Sequence, residues 1–184
     1  MFLGVLFPFH ELNRSWSLRS MGILFILRGL YDLMKMVKQD IVVLTRTVVF
    51  DENGRVLVQH GLTSGNDFYR LPGGHVRFRE KLEDYVIREV KEETGLDVEV
   101  DRLLWVRDFL DQFSDHSIEL FFLATVMGGE FKSALDVESS DFFFMTVEEL
   151  EEVVFYPKAF IPKLKSLRAD RNLVLENPYV RSAN

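Results

Sequence analysis

The sequence predicts a mixed α/β sandwich of the α+β kind, on three observations. Runs rich in β-branched and aromatic residues dominate from Ile41 onward. One central stretch, 81–94, repeats its apolar residues at helical spacing. Helical signals return only near the C-terminus, after T-V-E-E at 146–149. A β-rich chain with one central helix and one or two terminal helices buries its apolar faces by stacking layers of both kinds.

The domain is expected over 37–170, with an apolar extension over 1–36 and a tail over 171–184. In the extension, M-F-L-G-V-L-F-P-F and G-I-L-F-I-L-R-G-L-Y-D-L-M are apolar. Neither reaches the roughly 18–20 apolar residues that span a bilayer, and Arg28 and Asp32 interrupt the second. A signal peptide would want a basic lead and a small-residue cleavage site, and neither is clear. The extension reads as a helix packed on the domain or on a partner, or as an over-extended start, since Met21, Met34 and Met36 could each begin a complete domain. A membrane-surface anchor is the sharper alternative.

Within the domain, I-V-V-L-T-R-T-V-V-F from Ile41 is a strand by composition, D-E-N-G at 51–54 a turn, and R-V-L-V-Q-H the second strand of a hairpin. Residues 61–67 read as loop, and F-Y-R-L-P-G-G as a short strand broken by Pro72, Gly73 and Gly74. Leu82, Val86 and Val90 stripe one face of the central helix, which Gly95 stops. V-E-V-D-R-L-L-W-V-R-D-F reads as a strand pair or one long bent strand, and 117–126 as another strand. M-G-G-E-F at 127–131 turns the chain, and 132–141 is polar loop. D-F-F-F-M is a short strand, T-V-E-E a capping box, and Pro157 and Pro162 flank or interrupt a last helix ending near Arg168.

Composition narrows the function. Of 184 residues, 47% are apolar, enough for a sizeable core, and 17 phenylalanines make it aromatic-rich. That aromatic excess could supply a homodimer interface. A net charge of -7 argues against broad attraction to nucleic acid or anionic lipid. An acidic protein can still take a phosphorylated ligand if a metal ion sits between the two. The absence of cysteine excludes disulfides, zinc–thiolate sites and cysteine nucleophiles, and fits a cytoplasmic protein.

One stretch asks for a chemical reason. R-E-V-K-E-E-T-G, 88–95, places Glu89, Glu92 and Glu93 on one helix face, where each like-charge pair costs a few tenths of a kcal/mol. A solvated acidic face is the bland explanation. A hard divalent cation with oxygen ligands is the functional one, and Mg²⁺ bridges carboxylates to substrate phosphates. Gly73 and Gly74 let backbone come close to such a ligand, Glu80 sits at the helix entrance, and Arg88 could pair with Asp84 or Glu92.

Read together, G-H-V-R-F-R-E-K-L-E-D-Y-V-I-R-E-V-K-E-E-T-G-L, Gly74 to Leu96, resembles the Nudix box at all nine of its specified positions over 23 residues. The resemblance extends more weakly over about residues 40–168. It implies a Nudix-like α/β/α sandwich with a mixed central sheet. It also implies a Mg²⁺-dependent hydrolase, with Mn²⁺ a substitute, that splits a nucleoside diphosphate linked to another moiety by water attack on phosphorus. By position, Glu89, Glu92 and Glu93 look like metal ligands, Glu80 an additional or water-mediated one, Gly74 a backbone carbonyl ligand, and Arg88 the residue that orients the glutamates. Family boxes often carry an acid at the position of Arg77 and a glycine at that of Arg79. Here both are arginines, which could approach substrate phosphates or stand in solvent.

The general base stays open between Glu92 or Glu93 inside the box and Glu119 or Glu138 outside it. Glu119 has the alternative of a cross-strand ion pair, and Glu138 of a solvated loop. Phe68, Tyr69, Trp105, Phe109, Phe113 and Tyr156 bracket the expected cleft, though most aromatics at strand spacing are core. His116 and Arg107 could touch a phosphate or a base edge. Three other functions compete: a non-catalytic module that senses a nucleotide or nucleotide sugar, an isoprenoid-diphosphate isomerase, which would want an active-site cysteine, and a plain acidic interaction domain.

Overall fold

The computed structural model describes residues 41–63, 65–110, 116–132 and 141–181. The described residues lie within the unit Ile41–Asn184. Expectations for residues 1–36, for Phe113, for the polar stretch 133–140 and for Glu138 lie outside the described residues.

Among the described residues, strand-type composition is realised in eight strands: β1 (Ile41–Val49), β2 (Val56–Thr63), β3 (Asn66–Arg70), β4 (Leu96–Leu110), β5 (His116–Gly129), β6 (Asp141–Met145), β7 (Phe155–Tyr156) and β8 (Tyr179–Arg181). Among the described residues, the α-helices are α1 (Leu82–Thr94), α2 (Glu149–Glu152) and α3 (Ile161–Ala169). The strands divide into two four-stranded sheets, ordered β1-β5-β4-β8 and β6-β2-β3-β7. Both are mixed: β1–β5, β4–β8 and β3–β7 are parallel and the remaining pairs antiparallel. No helix among the described residues is long and apolar enough to cross a membrane.

Alternate residues of the central strands face two apolar clusters. Val48, Val56, Val58, Phe121 and Leu123 join one, closed by Leu150 of α2 and by Ile161, Leu164 and Leu167 of α3. Val49, Leu57 and Ala124 join the other, closed by Val90 of α1. The strands are therefore sandwiched between helices, and the run of apolar residues in β1 reflects burial on both faces. Trp105, Phe121 and Phe160 pack together in the first cluster, with centroids 4.1 to 6.2 Å apart, and each aromatic pair adds about 0.5–1.5 kcal/mol beyond its buried area.

Four expectations change. The turn at 51–54 joins the two sheets rather than closing a hairpin; only the isolated bridge Phe50–Val56 links its flanks. Asp51 shapes it, its Oδ1 accepting from Asn53 N (3.0 Å) and Arg55 N (2.8 Å). The expected loop at 61–67 is mostly strand, since β2 continues to Thr63 and pairs with Asn66. At the other end of the chain, β5 pairs with β4 as far as Gly129, so the chain turns later than 127. Residues 179–181 of the expected tail become the fourth strand of a sheet, and Arg102 Nη2 holds the approach by donating to Arg171 O (2.8 Å) and Leu173 O (3.1 Å). Such pairings are non-local, and periodicity names no partner.

β4 is one long strand whose pairing with β5 is interrupted three times, the bends that bulges produce. The capping box forms as expected: Glu149 Oε2 accepts from Thr146 N (2.7 Å), and Thr146 Oγ1 accepts from Glu149 N (3.2 Å). Tyr85 and Thr94 join Val86 and Val90 as buried residues of α1, while Leu82 is only half-buried.

Gly95 ends α1 at φ 76, and a Cβ there would run into Glu130 O. Gly95→Ala should therefore cost about 1–2 kcal/mol or more of stability in urea unfolding. Gly128→Ala, with open space at its Cβ, should change stability by less than about 0.5 kcal/mol.

Candidate active site

Two segments build the site. The first is L-P-G-G, 71–74, which runs beside β1: Thr47 N donates to Pro72 O (2.8 Å) and Thr45 N to Gly74 O (3.0 Å). Gly73 has φ 133, and a Cβ on it would run into Thr45 O, so no other residue fits this approach. Arg46 Nη1 donates to Gly73 O at 3.2 Å. Arg46 is thus a buried cation fixing the glycine backbone.

The second segment is α1 with the loop before it. Arg88 grips Glu80 with two prongs, Nε to Oε1 (2.8 Å) and Nη2 to Oε2 (3.0 Å). Its Nη1 donates to Glu89 Oε1 (2.9 Å) and Glu92 Oε2 (2.8 Å). Of the two partners expected for Arg88, Glu92 is present and Asp84 is replaced by Glu80 and Glu89. These bonds raise the guanidinium further above its ordinary range and lower Glu80. The buried Tyr85 hydroxyl is pushed up to about 12, first by burial and then by the charge of Glu89, and stays protonated. Tyr85 also limits the space at Gly74, where a Cβ would come within 2.9 Å of the Tyr85 hydroxyl and 4.0 Å of Glu89 Oε2.

The glutamates lie together at different depths. Glu92 is 56% exposed and Glu89 only 17%. Glu93 is deeper: its Oε2 is buried with no hydrogen-bond partner. Burial first, and then the charge of Glu89, pushes its carboxyl up to about 7, against the pull of Arg70 and Arg46. Among the described residues, no three His, Asp or Glu side chains converge into a preassembled metal site; Arg88 engages three of the four carboxylates. The donor set itself suits a hard cation, being all oxygen, and Glu93 Oε2 is a buried acceptor that no protein group satisfies.

Glu119 is 5% exposed and lies between two arginines. Its register partner on β4, Arg107, donates from Nη1 to Oε2 at 2.6 Å, and Arg46 Nη2 lies 3.4 Å from Oε1. The cross-strand ion pair is therefore present, and Arg46 extends it to the glycine segment.

The substrate-side candidates separate. Arg77 is exposed, with Nη2 4.0 Å from Glu92 Oε2. Phe68 meets Tyr156 edge-on at 6.3 Å. Tyr69 turns to the opposite face of β3 and packs with His60 and Phe143 against the core. Trp105 is core, and Phe109 lies under the Arg107 guanidinium at 4.3 Å. His116 is 2.9 Å from Asp108, and strand alternation turns it to the face opposite Glu119. Sequence reading did not single out Arg46, Arg70 or Tyr85. A charge inside the apolar run of β1 was the available signal for Arg46; Tyr85 looks in sequence like any apolar stripe residue.

Arg79 has φ 67, the left-handed region where a side chain costs about 1–2 kcal/mol, which gives a backbone reason for glycine at this place in related boxes. Arg79→Gly should raise stability by about 0.5–1 kcal/mol in chemical denaturation, the relief outweighing glycine's entropy. Glu119→Gln leaves the buried Arg46 and the partly buried Arg107 short of a counter-charge and should cost about 3 kcal/mol in the same measurement.

A family model described as the NUDIX domain matches residues 42–164. Over 97 residues the chain is 35% identical to an ADP-ribose pyrophosphatase of Methanocaldococcus jannaschii, covering 52% of this chain and 57% of that protein. Over 78 residues it is 38% identical to Nudix hydrolase 2 of Arabidopsis thaliana, covering 41% of this chain and 28% of that protein. The matches thus span little more than half the length of one curated relative and under a third of the other. Among solved structures, an ADP-ribose pyrophosphatase of Streptococcus suis aligns with a TM-score of 0.57 at 27% identity, over 77% of this chain and 100% of that one. With the box intact from Gly74 to Leu96 and the family match running through both sheets and into α3, the chain belongs to the NUDIX domain family.

Proposed function

We propose that the chain is a Mg²⁺-dependent pyrophosphohydrolase that splits a nucleoside diphosphate linked to another moiety, with water attacking phosphorus. One observation carries this reading: Glu93 Oε2, a buried acceptor without a partner, beside glutamates gathered on one guanidinium. ADP-ribose is the first substrate to test, because the archaeal and streptococcal relatives are named as ADP-ribose pyrophosphatases.

Glu89, Glu92 and Glu93, with Glu80 and the Gly74 carbonyl, would hold the cation, which would neutralise diphosphate charge and lower the pKa of a water. Arg88 keeps Glu80, Glu89 and Glu92 from splaying. Arg46 and Thr45 fix the carbonyls of Gly73 and Gly74, and Gly74 O keeps one lone pair beyond the bond from Thr45. Whichever of Glu92 and Glu93 the cation leaves free would accept the proton of the attacking water. Glu119, both of its oxygens engaged by arginines, acts instead as a positioning residue for Arg46.

A second reading, a non-catalytic nucleotide-sensing domain, draws on the lack of three converging acids among the described residues. Incubating the protein with ADP-ribose, with and without Mg²⁺, separates the two. Release of AMP and ribose 5-phosphate only with Mg²⁺, reduced about 10²- to 10⁴-fold in Glu93→Gln at unchanged Tm, is the expected result. ADP-ribose binding without turnover under every metal condition would favour sensing.

A further inference from the structure

We infer that Arg70 is a specificity-determining residue that recognises a phosphoryl oxygen of the substrate; this deepens the function proposed above and rests on it. Arg70 is the last residue of β3, immediately before the L-P-G-G segment. Its register partner on β2 is Gln59, a residue only 5% exposed. Arg70 Nε donates to Gln59 Oε1 at 2.7 Å, and its guanidinium stands 5.6 Å from the Phe68 ring centre. The ring is fixed in turn: Gly61, opposite Phe68 in the register, leaves the space that the ring fills, since a Cβ there would lie 2.5 Å from Phe68 Cζ. The fork is held at its inner nitrogen and by the ring, while neither terminal nitrogen has a hydrogen-bond or ion-pair partner among the described residues.

Guanidiniums with this geometry bind phosphate with two parallel bonds. The surroundings favour an anion as the missing partner. Arg70 leads directly into the segment whose Gly73 carbonyl Arg46 holds, and its charge works against that of the buried Arg46. A phosphoryl group bound by Arg70 would relieve that repulsion at the entrance to the glycine segment. Tyr156, the register partner of Arg70 on β7 and 58% exposed, meets Phe68 edge-on and continues the same surface with an aromatic face. Such a surface suits the planar end of a nucleotide. Arg70 therefore acts in binding rather than in bond breaking, since its fork is preorganised before the substrate arrives.

The experiment is steady-state kinetics of ADP-ribose hydrolysis by the full chain, comparing wild type with Arg70→Gln and Arg70→Lys. Arg70→Gln should raise KM about 10- to 100-fold, with kcat within about threefold and Tm unchanged. Arg70→Lys keeps charge and stem but not the fork, and should give an intermediate KM. It also carries the test if the glutamine variant fails to fold. An unchanged KM in a folded variant, or a fall in kcat and Tm at constant KM, would overturn the role while leaving the proposed hydrolysis standing. If wild type turns over no ADP-ribose, calorimetric titration with ADP in EDTA decides the subsite alone. Binding weakened about tenfold or more in Arg70→Gln supports it; equal binding, or none in wild type, overturns it.

Discussion

Several carboxylates crowd one end of α1, and the arrangement holds because a single guanidinium is shared among three of them. Arg88 forks onto both oxygens of Glu80 and spends its remaining donor on Glu89 and Glu92. Without it, the i,i+3 repulsion of Glu89 and Glu92 would work against the helix that carries them. The clamp also ties the loop before α1 to the helix itself, because Glu80 precedes the first helical turn. Glu93 is left outside the clamp, with its Oε2 buried and without a hydrogen-bond partner. In the proposed reaction that is where a cation finds its deepest ligand.

A second set of charges lies behind the first. Arg46, Glu119 and Arg107 form a buried chain from the glycine segment through β1 and β5 to β4. Burying such a chain is costly unless each group is paired, and here both carboxylate oxygens and the inner faces of both guanidiniums are used. Its effect is mechanical. The L-P-G-G backbone is fixed by β1 amides on one side and by Arg46 on the other. Gly74 is thereby held near Tyr85 and Glu89, with its carbonyl accepting from Thr45 N.

The two sheets make these charges meet. β1 and β2 are consecutive yet belong to different sheets, and the Asp51 turn carries the chain from one to the other. Arg46 therefore comes from one sheet and Arg70 from the other, while α1 and the glycine segment contribute the acids and the carbonyls. Bends in the β4–β5 pairing let long strands serve both the apolar cluster under α1, through Leu96 and Val98, and the ion pair at Arg107. A flat ladder of that length would not curve around a core that has helices on both sides.

Much of this was legible without coordinates wherever the physics is local. Helical spacing put Glu89, Glu92 and Glu93 together, Gly95 marked the helix end, and T-V-E-E declared its own cap, because partners three or four residues apart are fixed by helix geometry. The box spacing from Gly74 to Leu96 identified the family on the same ground. The partner of Arg88 in Glu80, the burial of Glu119 between two arginines, the separation of β1 from β2 and the strand at 179–181 were decided only by the tertiary structure. Alternation along a strand fixes which residues share a face, but not which strand lies alongside. That choice is made by burial of apolar surface across the whole chain, and the charged groups are paired by where it brings them.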